Sequence, residues 1–274
     1  MKFVFCITTF NRLEYLKKCI VTWDETRDKK HIWGLCVADD GSVDGTQEYL
    51  KSLNIKDVDI QLFFNNRRGV HHQVNGILKS RFNTDFDLSF AADDDIYFVN
   101  SNWDNLYYQA IRLSGFDFLC YFNKKWAENN GRGHHCREIP LYNSEKKIQS
   151  LVCAYNSFGC FWTFTNKLIE EIGYIDCINF GVFGNGHTDY ALRCGRAGFN
   201  RNDACFDLFE SEKYISMQDK GYKSAYSGCC ENGEYVGNIG VPNLQHKGKT
   251  LEDSTRRYIT YNESSFNMLG EKIK

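Results

Sequence analysis

Proline is nearly missing: the 274-residue chain has 2. That scarcity, with no internal repeat or low-complexity tract, leaves no visible linker and excludes a proline-rich spacer. Long apolar runs are missing too. The longest fall far short of a membrane span, so no transmembrane segment is expected. Charge of one sign is not in excess, the net value being -2, so nothing draws the chain to nucleic acid or an anionic membrane. Although there are 12 cysteines, no Cys-x-x-Cys pair occurs. Cys6, Cys36 and Cys120 lie inside apolar runs, where cysteine packs as a small hydrophobe. These thiols read as reduced, and Cys229-Cys230 as no vicinal disulfide. With no leader before the first apolar run, the expected location is cytoplasmic. A Gly-x-Gly-x-x-Gly turn and a Walker lysine loop are both absent, which weakens dinucleotide and P-loop readings.

Hydrophobic residues make up 42% and aromatics 15%, enough for a large core. The stretch around which the rest is arranged is Leu88-Ser-Phe-Ala-Ala-Asp93-Asp94-Asp95-Ile-Tyr-Phe98. An apolar strand there ends in three consecutive carboxylates. Side chains i and i+2 of an extended chain point the same way, which puts Asp93 and Asp95 on one side and Asp94 on the other. Two hard oxygen donors at a strand end suit Mg²⁺ or Mn²⁺, above all an ion that also holds phosphate oxygens. The competing reading is a solvated acidic turn that caps the next helix.

Ahead of the triplet, strand and helix patterns alternate. Lys2 to Ile7, Trp33 to Ala38 and Ile60 to Phe64 read as strands. Helical spacing follows from Leu13 to Trp23, around Tyr49 to Leu53 and from Val70 to Lys79. Such alternation calls for a mainly parallel α/β sheet with helices on both faces. Ligands bind such sheets beyond the carboxyl ends of the strands. Polar clusters stand at those ends: Thr8 to Arg12, Asp39 to Thr46, Asn65 to Gly69 and Asp93 to Asp95. A nucleotide-sized ligand can touch all four.

Ile7-Thr-Thr-Phe-Asn-Arg12, Val37-Ala-Asp-Asp-Gly-Ser-Val-Asp-Gly-Thr46, Asn65 to Asn75 and the Asp triplet, in this order, resemble GT-A fold glycosyltransferases, most closely the inverting glycosyltransferase family 2. The resemblance implies that Thr8 and Asp40 contact the nucleotide base or ribose, with Asp39 supporting the turn. It implies that Arg68 lies near base and diphosphate, and that Asp93 and Asp95 form the Asp-x-Asp element on ribose and metal. Asp94 remains a candidate, because in some relatives the middle carboxylate contributes. Taken alone, Asp40 in Asp-Gly-Ser reads as an Asx-turn residue.

In the second half, Trp103 to Leu113 reads as a helix and Phe116 to Tyr121 as a strand. Residues 122 to 150 read as a polar surface excursion. Leu151 to Tyr155 and Cys160 to Phe164 read as strands, Asn166 to Ile172 as a helix. His134-His135-Cys136 with Cys153 or Cys160 offers zinc-type donors without the regular spacing of a zinc site. Ser157-Phe158-Gly159-Cys160 resembles the family's small-residue segment beside the donor sugar. Gly186-His187-Thr188-Asp189-Tyr-Ala-Leu-Arg193 resembles the segment carrying its catalytic acid, which makes Asp189 the expected base; a plain helix-capping role competes. Thr188 stands where many relatives have an acidic residue. His187 reads as a loop residue or one that orients an acceptor, and Gly198 as the helix C-cap. His246-Lys-Gly-Lys-Thr250 resembles a late His-x-Gly-x-Ser/Thr element, implying that His246 joins the metal and that Lys247 or Lys249 offsets phosphate charge; a surface histidine in a basic turn is the alternative. Asn262-Glu-Ser264 is an incidental glycosylation match, and a helix is expected within 251 to 269.

The expectation is one GT-A domain over 1–274: a nucleotide-binding half over 1–100, a catalytic and acceptor half over 101–250 and a helical tail over 251–274. It would move a sugar from a nucleotide diphosphate donor, a UDP-sugar, to a glycan or other hydroxyl acceptor, with inversion and with Mn²⁺ or Mg²⁺. A sugar nucleotidyltransferase, a retaining transferase with the same donor site and a non-catalytic binding module are the alternatives.

Overall fold

The computed structural model describes residues 1–82, 85–122, 137–154, 159–177, 186–199, 205–218, 230–231 and 234–235. Its centre is a five-stranded sheet in the order β3-β2-β1-β4-β8, formed by Val58–Phe64, Ile32–Asp39, Lys2–Thr9, Leu88–Asp93 and Phe161–Phe164. The first four strands are parallel and β8 runs antiparallel to β4. The expected alternation is therefore present, with helices α1 (Leu13–Thr26), α2 (Thr46–Ser52) and α3 (Val70–Phe82) between the parallel strands.

Both sheet faces are buried, as parallel sheets require. Along β1, Phe3, Phe5 and Ile7 join one core, while Val4 and Cys6 join the other. The first core takes Leu16, Ile20 and Trp23 of α1 and Trp103 and Tyr107 of α4 (Trp103–Ser114). Its centre is aromatic. Trp23 lies 5.5 Å from Trp33, ring to ring, and Trp103 4.4 Å from Phe98. The second core takes Ile77 and Leu78 of α3. It also takes Leu168 and Ile172 of α5 (Asn166–Ile172) and Tyr190 and Cys194 of α6 (Gly186–Arg196). Burying each such side chain contributes roughly 1.5–3 kcal/mol.

Two sequence expectations are corrected. Phe116 to Tyr121 forms no strand of its own; Cys120 makes an isolated bridge to Trp162. Its backbone is instead shared between neighbours, Cys120 N–H donating to Phe206 and Tyr121 N–H to Phe161. Residues 137–150 are not an irregular excursion. β6 (Arg137–Asn143) and β7 (Lys146–Ala154) form a hairpin that continues to β9 (Cys205–Leu208). Its exposed face is polar, which hides the inward positions Leu141 and Leu151 from a composition reading. Two short strands, β5 (Ile96–Phe98) and β10 (Ile215–Met217), pair just past the acidic triplet. Gly198, at φ +91°, closes α6 as expected, with Phe199 N–H reaching back to Cys194 at 3.0 Å. The expected helix within 251–269 lies outside the described residues. Among the described residues no helix is long and apolar enough to cross a membrane.

Candidate functional site

β1 and β4 end side by side, Thr8 opposite Asp93, so the first loop of the chain is laid against the acidic triplet. The hydroxyl of Thr8 donates to Asp93 Oδ1 at 3.2 Å, and that of Thr9 to Asp94 Oδ2 at 2.7 Å. Burial alternates as the strand geometry demands: Asp93 and Asp95 are half-buried, while Asp94 is buried. Arg12 supplies the compensating cation. Its guanidinium lies 3.2 Å from Asp94 Oδ1 and 3.2 Å from Asp95 Oδ2, and it covers the Tyr15 ring at 4.5 Å.

The charges are costly to hold there. Burial, then repulsion from Asp95 and Asp94, pushes the Asp93 carboxyl up to about 8. Burial pushes Asp94 up to about 7 although Arg12 pulls it down. Burial also works against the Arg12 cation, but Asp94 and Asp95 outweigh it and raise its pKa. Asp95 Oδ1 is buried with no hydrogen-bond partner. An orphaned carboxylate oxygen beside a second carboxylate on the same side fits a hard divalent cation that takes its remaining oxygens from phosphate. Among the described residues no three His, Cys, Asp or Glu side chains are grouped to hold a metal by themselves. His246, with Lys247 and Lys249, lies outside the described residues, as do Ser157, Phe158 and the His134-His135-Cys136 cluster.

The second loop divides its two carboxylates between different tasks. Asp39 accepts from the backbone of Gly41 and Ser42, from the Ser42 hydroxyl and from Gln47, and so builds the turn. Asp40 reaches across to the third loop, accepting from Arg68 N–H at 2.6 Å and Gly69 N–H at 2.8 Å. Gly41, at φ +82°, brings this turn against Asn65, where a Cβ would sit 3.0 Å from the carbonyl oxygen. Asp40 thus sets the position of Arg68 through its backbone. Arg67 lies over the Phe10 ring at 3.7 Å, which ties the third loop to the first. Three loops and the triplet are brought together at one end of the sheet.

Asp189 lies at the start of α6. It is 1% exposed, in the first turn of α6, and its Oδ2 accepts from Arg193 Nε at 2.9 Å. The other Arg193 nitrogens donate to the carbonyls of Ile172 and Tyr174. Asp189 and Arg193 thereby pin the helix start to the end of α5. His187, two residues earlier, is half-buried, and its ring lies against Gly159.

Three participants have no assigned role in the sequence reading: Thr9, Arg12 and Gln218. For Arg12 the signal is a lone cation following an apolar strand whose parallel neighbour ends in carboxylates. Gln218 gives no local signal. Its backbone N–H donates to the Asp95 carbonyl at 2.6 Å, and its side chain donates to the carbonyls of Tyr15, Asp94 and Ile96.

Several known proteins are similar to this chain. The mannosyltransferase PcManGT from Pyrobaculum calidifontis, solved with GDP-Man and Mn²⁺, matches with a TM-score of 0.51 at 16% identity, over 69% of this chain and 52% of that one. The S. aureus TarS fragment 1–349 with UDP-GlcNAc matches with a TM-score of 0.53 at 15% identity, over 81% of this chain and 60% of that one. An uncharacterized glycosyltransferase, R363, of Acanthamoeba polyphaga mimivirus is 27% identical over 179 residues, 64% of this chain and 65% of the relative. The chain thus spans roughly half to two thirds of the length of these proteins. The fold is the GT-A fold, and the family model for glycosyl transferase family 2 matches residues 4–173, which makes this chain a member of that family.

Proposed function

We propose that the chain transfers a sugar from a nucleotide diphosphate donor, a UDP-sugar, to a hydroxyl acceptor with inversion and with help from a divalent metal. The observation that carries this reading is the meeting of Asp93 and Asp95 with three loops at the ends of parallel strands, one carboxylate oxygen being left without a partner. Similar structures solved with GDP-Man and Mn²⁺ or with UDP-GlcNAc support it.

Asp93 and Asp95 would hold Mn²⁺ or Mg²⁺ with the donor phosphates, and His246 would complete the shell. When bound, the ion neutralises charge growing on the leaving diphosphate. The chain's own residues do the positioning. Thr8 fixes Asp93 and stands beside the ribose; Asp40 holds the loop that presents Arg68 to the base and diphosphate. Arg12 keeps the carboxylates together. Lys247 or Lys249 would cover phosphate charge. Asp189, in the first turn of α6, would take the acceptor hydroxyl proton as the base.

The test is a panel of UDP- and GDP-sugars with Mn²⁺, scored by release of nucleoside diphosphate and by thermal shift. A UDP-sugar consumed with Mn²⁺ and spared with EDTA supports the reading; undiminished turnover in EDTA removes the metal from it. Pyrophosphate formed from nucleoside triphosphate and sugar phosphate would identify a nucleotidyltransferase instead, and NMR of the product anomer separates inversion from retention.

A further inference from the structure

Three consecutive backbone carbonyls of the acidic turn are held by one residue, Gln218. Its N–H donates to the Asp95 carbonyl at 2.6 Å. Its side-chain amide donates to the carbonyls of Asp94 and Ile96, each at 3.1 Å, and to that of Tyr15 at 2.8 Å. Three acceptors around one terminal atom fix which end of that amide is nitrogen. The placement follows from the ladder. Met217, the last residue of β10, pairs with Ile96, the first of β5, so the residue after it comes level with Asp95.

The turn needs such a hold. Asp94 and Asp95 form the link between β4 and β5, and each has two soft dihedrals. Like charges repel, so the carboxylates favour any rotation that carries Asp95 away from Asp93. The first loop bonds the carboxylates themselves: Thr8 to Asp93, Thr9 to Asp94, and Arg12 to Asp94 and Asp95. Those bonds act on side chains. Gln218 acts on the backbone that carries them and ties it to α1 through the Tyr15 carbonyl. The Tyr15 ring lies under the Arg12 guanidinium, so the turn is fastened to the same helix start from which Arg12 reaches Asp95.

We propose that Gln218 is a positioning residue for the divalent cation: it sets the backbone of the acidic turn so that Asp93 and Asp95 stand on one side before the ion arrives. This role rests on the metal reading above. Gln218 needs no contact with ion or donor, because it works through the carbonyls of Asp94, Asp95 and Ile96. Ligands fixed in advance need not be ordered by the ion, and the cost of ordering them is not subtracted from its affinity. The nucleotide is served by a different loop, in which Asp40 holds Arg68. Loss of the Gln218 amide therefore acts on cation binding and spares what the nucleotide gains without the cation.

The experiment is titration calorimetry of UDP against the full chain, once with saturating Mn²⁺ and once with EDTA. The ratio of the two affinities is the share due to the cation, and melting temperature is recorded alongside. Gln218→Met keeps the side-chain length and removes the donors. Gln218→Glu keeps the shape and turns a carboxylate toward three carbonyl oxygens. In both, the ratio is expected to fall about tenfold or more, the usual cost of losing a group that orients metal ligands, while affinity in EDTA stays within about twofold. If Gln218→Met does not fold, Gln218→Asn, which keeps an amide too short to reach the carbonyls, is read by the same ratio. A variant that melts lower but keeps the wild-type ratio makes Gln218 structural only, which overturns the assignment and leaves the metal reading standing. If the wild-type chain itself binds UDP no better in Mn²⁺ than in EDTA, the metal reading falls and the assignment with it.

Discussion

Arg12 lies 3.2 Å from a carboxylate oxygen of Asp94 and 3.2 Å from one of Asp95, so a single guanidinium serves two members of the acidic triplet. Arg12→Ala removes that cation and leaves partly buried carboxylates to repel each other. We expect a loss of about 3–5 kcal/mol in urea denaturation, the cost of breaking a buried pair. Mn²⁺ should recover part of it. A variant as stable as the wild type without metal would show that the cluster does not need its arginine.

Asp95 carries the oxygen without a partner. Asp95→Asn keeps the size of the side chain and removes the charge. Titration calorimetry of Mn²⁺ with UDP should show affinity down about tenfold or more, with the fold intact. Unchanged Mn²⁺ affinity would place the ion elsewhere.

Asp40 acts through the backbone of Arg68 and Gly69. In Asp40→Ala two N–H groups lose their acceptor, at about 1–3 kcal/mol for each one left unpaired. The loop carrying Arg68 should loosen, and UDP affinity should fall with it. If stability falls and UDP affinity does not, the loop is structural only.

Asp207 offers a test away from the site. It accepts from Tyr107 at 2.6 Å, Ser211 at 2.5 Å and the Phe122 N–H at 2.8 Å, yet burial pushes its carboxyl up to about 7. A raised acid binds its proton more tightly in the folded chain than in the unfolded one. Its contribution is therefore fully present near pH 4 and is lost as pH rises toward 7, then levels off. Asp207→Asn should remove that slope from the denaturation midpoint measured between pH 4 and pH 8. An identical slope in the variant would assign it to other groups.

The parallel sheet was legible because its strands centre on apolar runs and the first three are followed by helical spacing, as in Lys2 to Ile7 before Leu13. The triplet was legible because strand geometry alone separates Asp94 from Asp93 and Asp95. Less visible was how the carboxylates divide their work. Asp39 and Asp40 are adjacent and identical in type, and only the approach of residues 65–69 shows that one builds its own turn and the other holds a neighbouring loop. The hairpin over 137–154 was hidden because its outer face is charged. Gln218 was hidden because its partners, Tyr15, Asp94 and Ile96, are more than a hundred positions away. Asp189 was singled out on a helix start that resembles a catalytic segment; its ion pair with Arg193, which also bonds the end of α5, gave no local signal.

The three tryptophans of the first core are fully enclosed, with Trp23 against Trp33 and Trp33 5.9 Å from Trp103. They lie on α1, β2 and α4, so their spacing holds only while those elements stay packed. Opening the layer would wet the indoles and move their emission to longer wavelength. The chain therefore contains its own optical gauge, against which every variant named above can be checked for intact packing without an added dye.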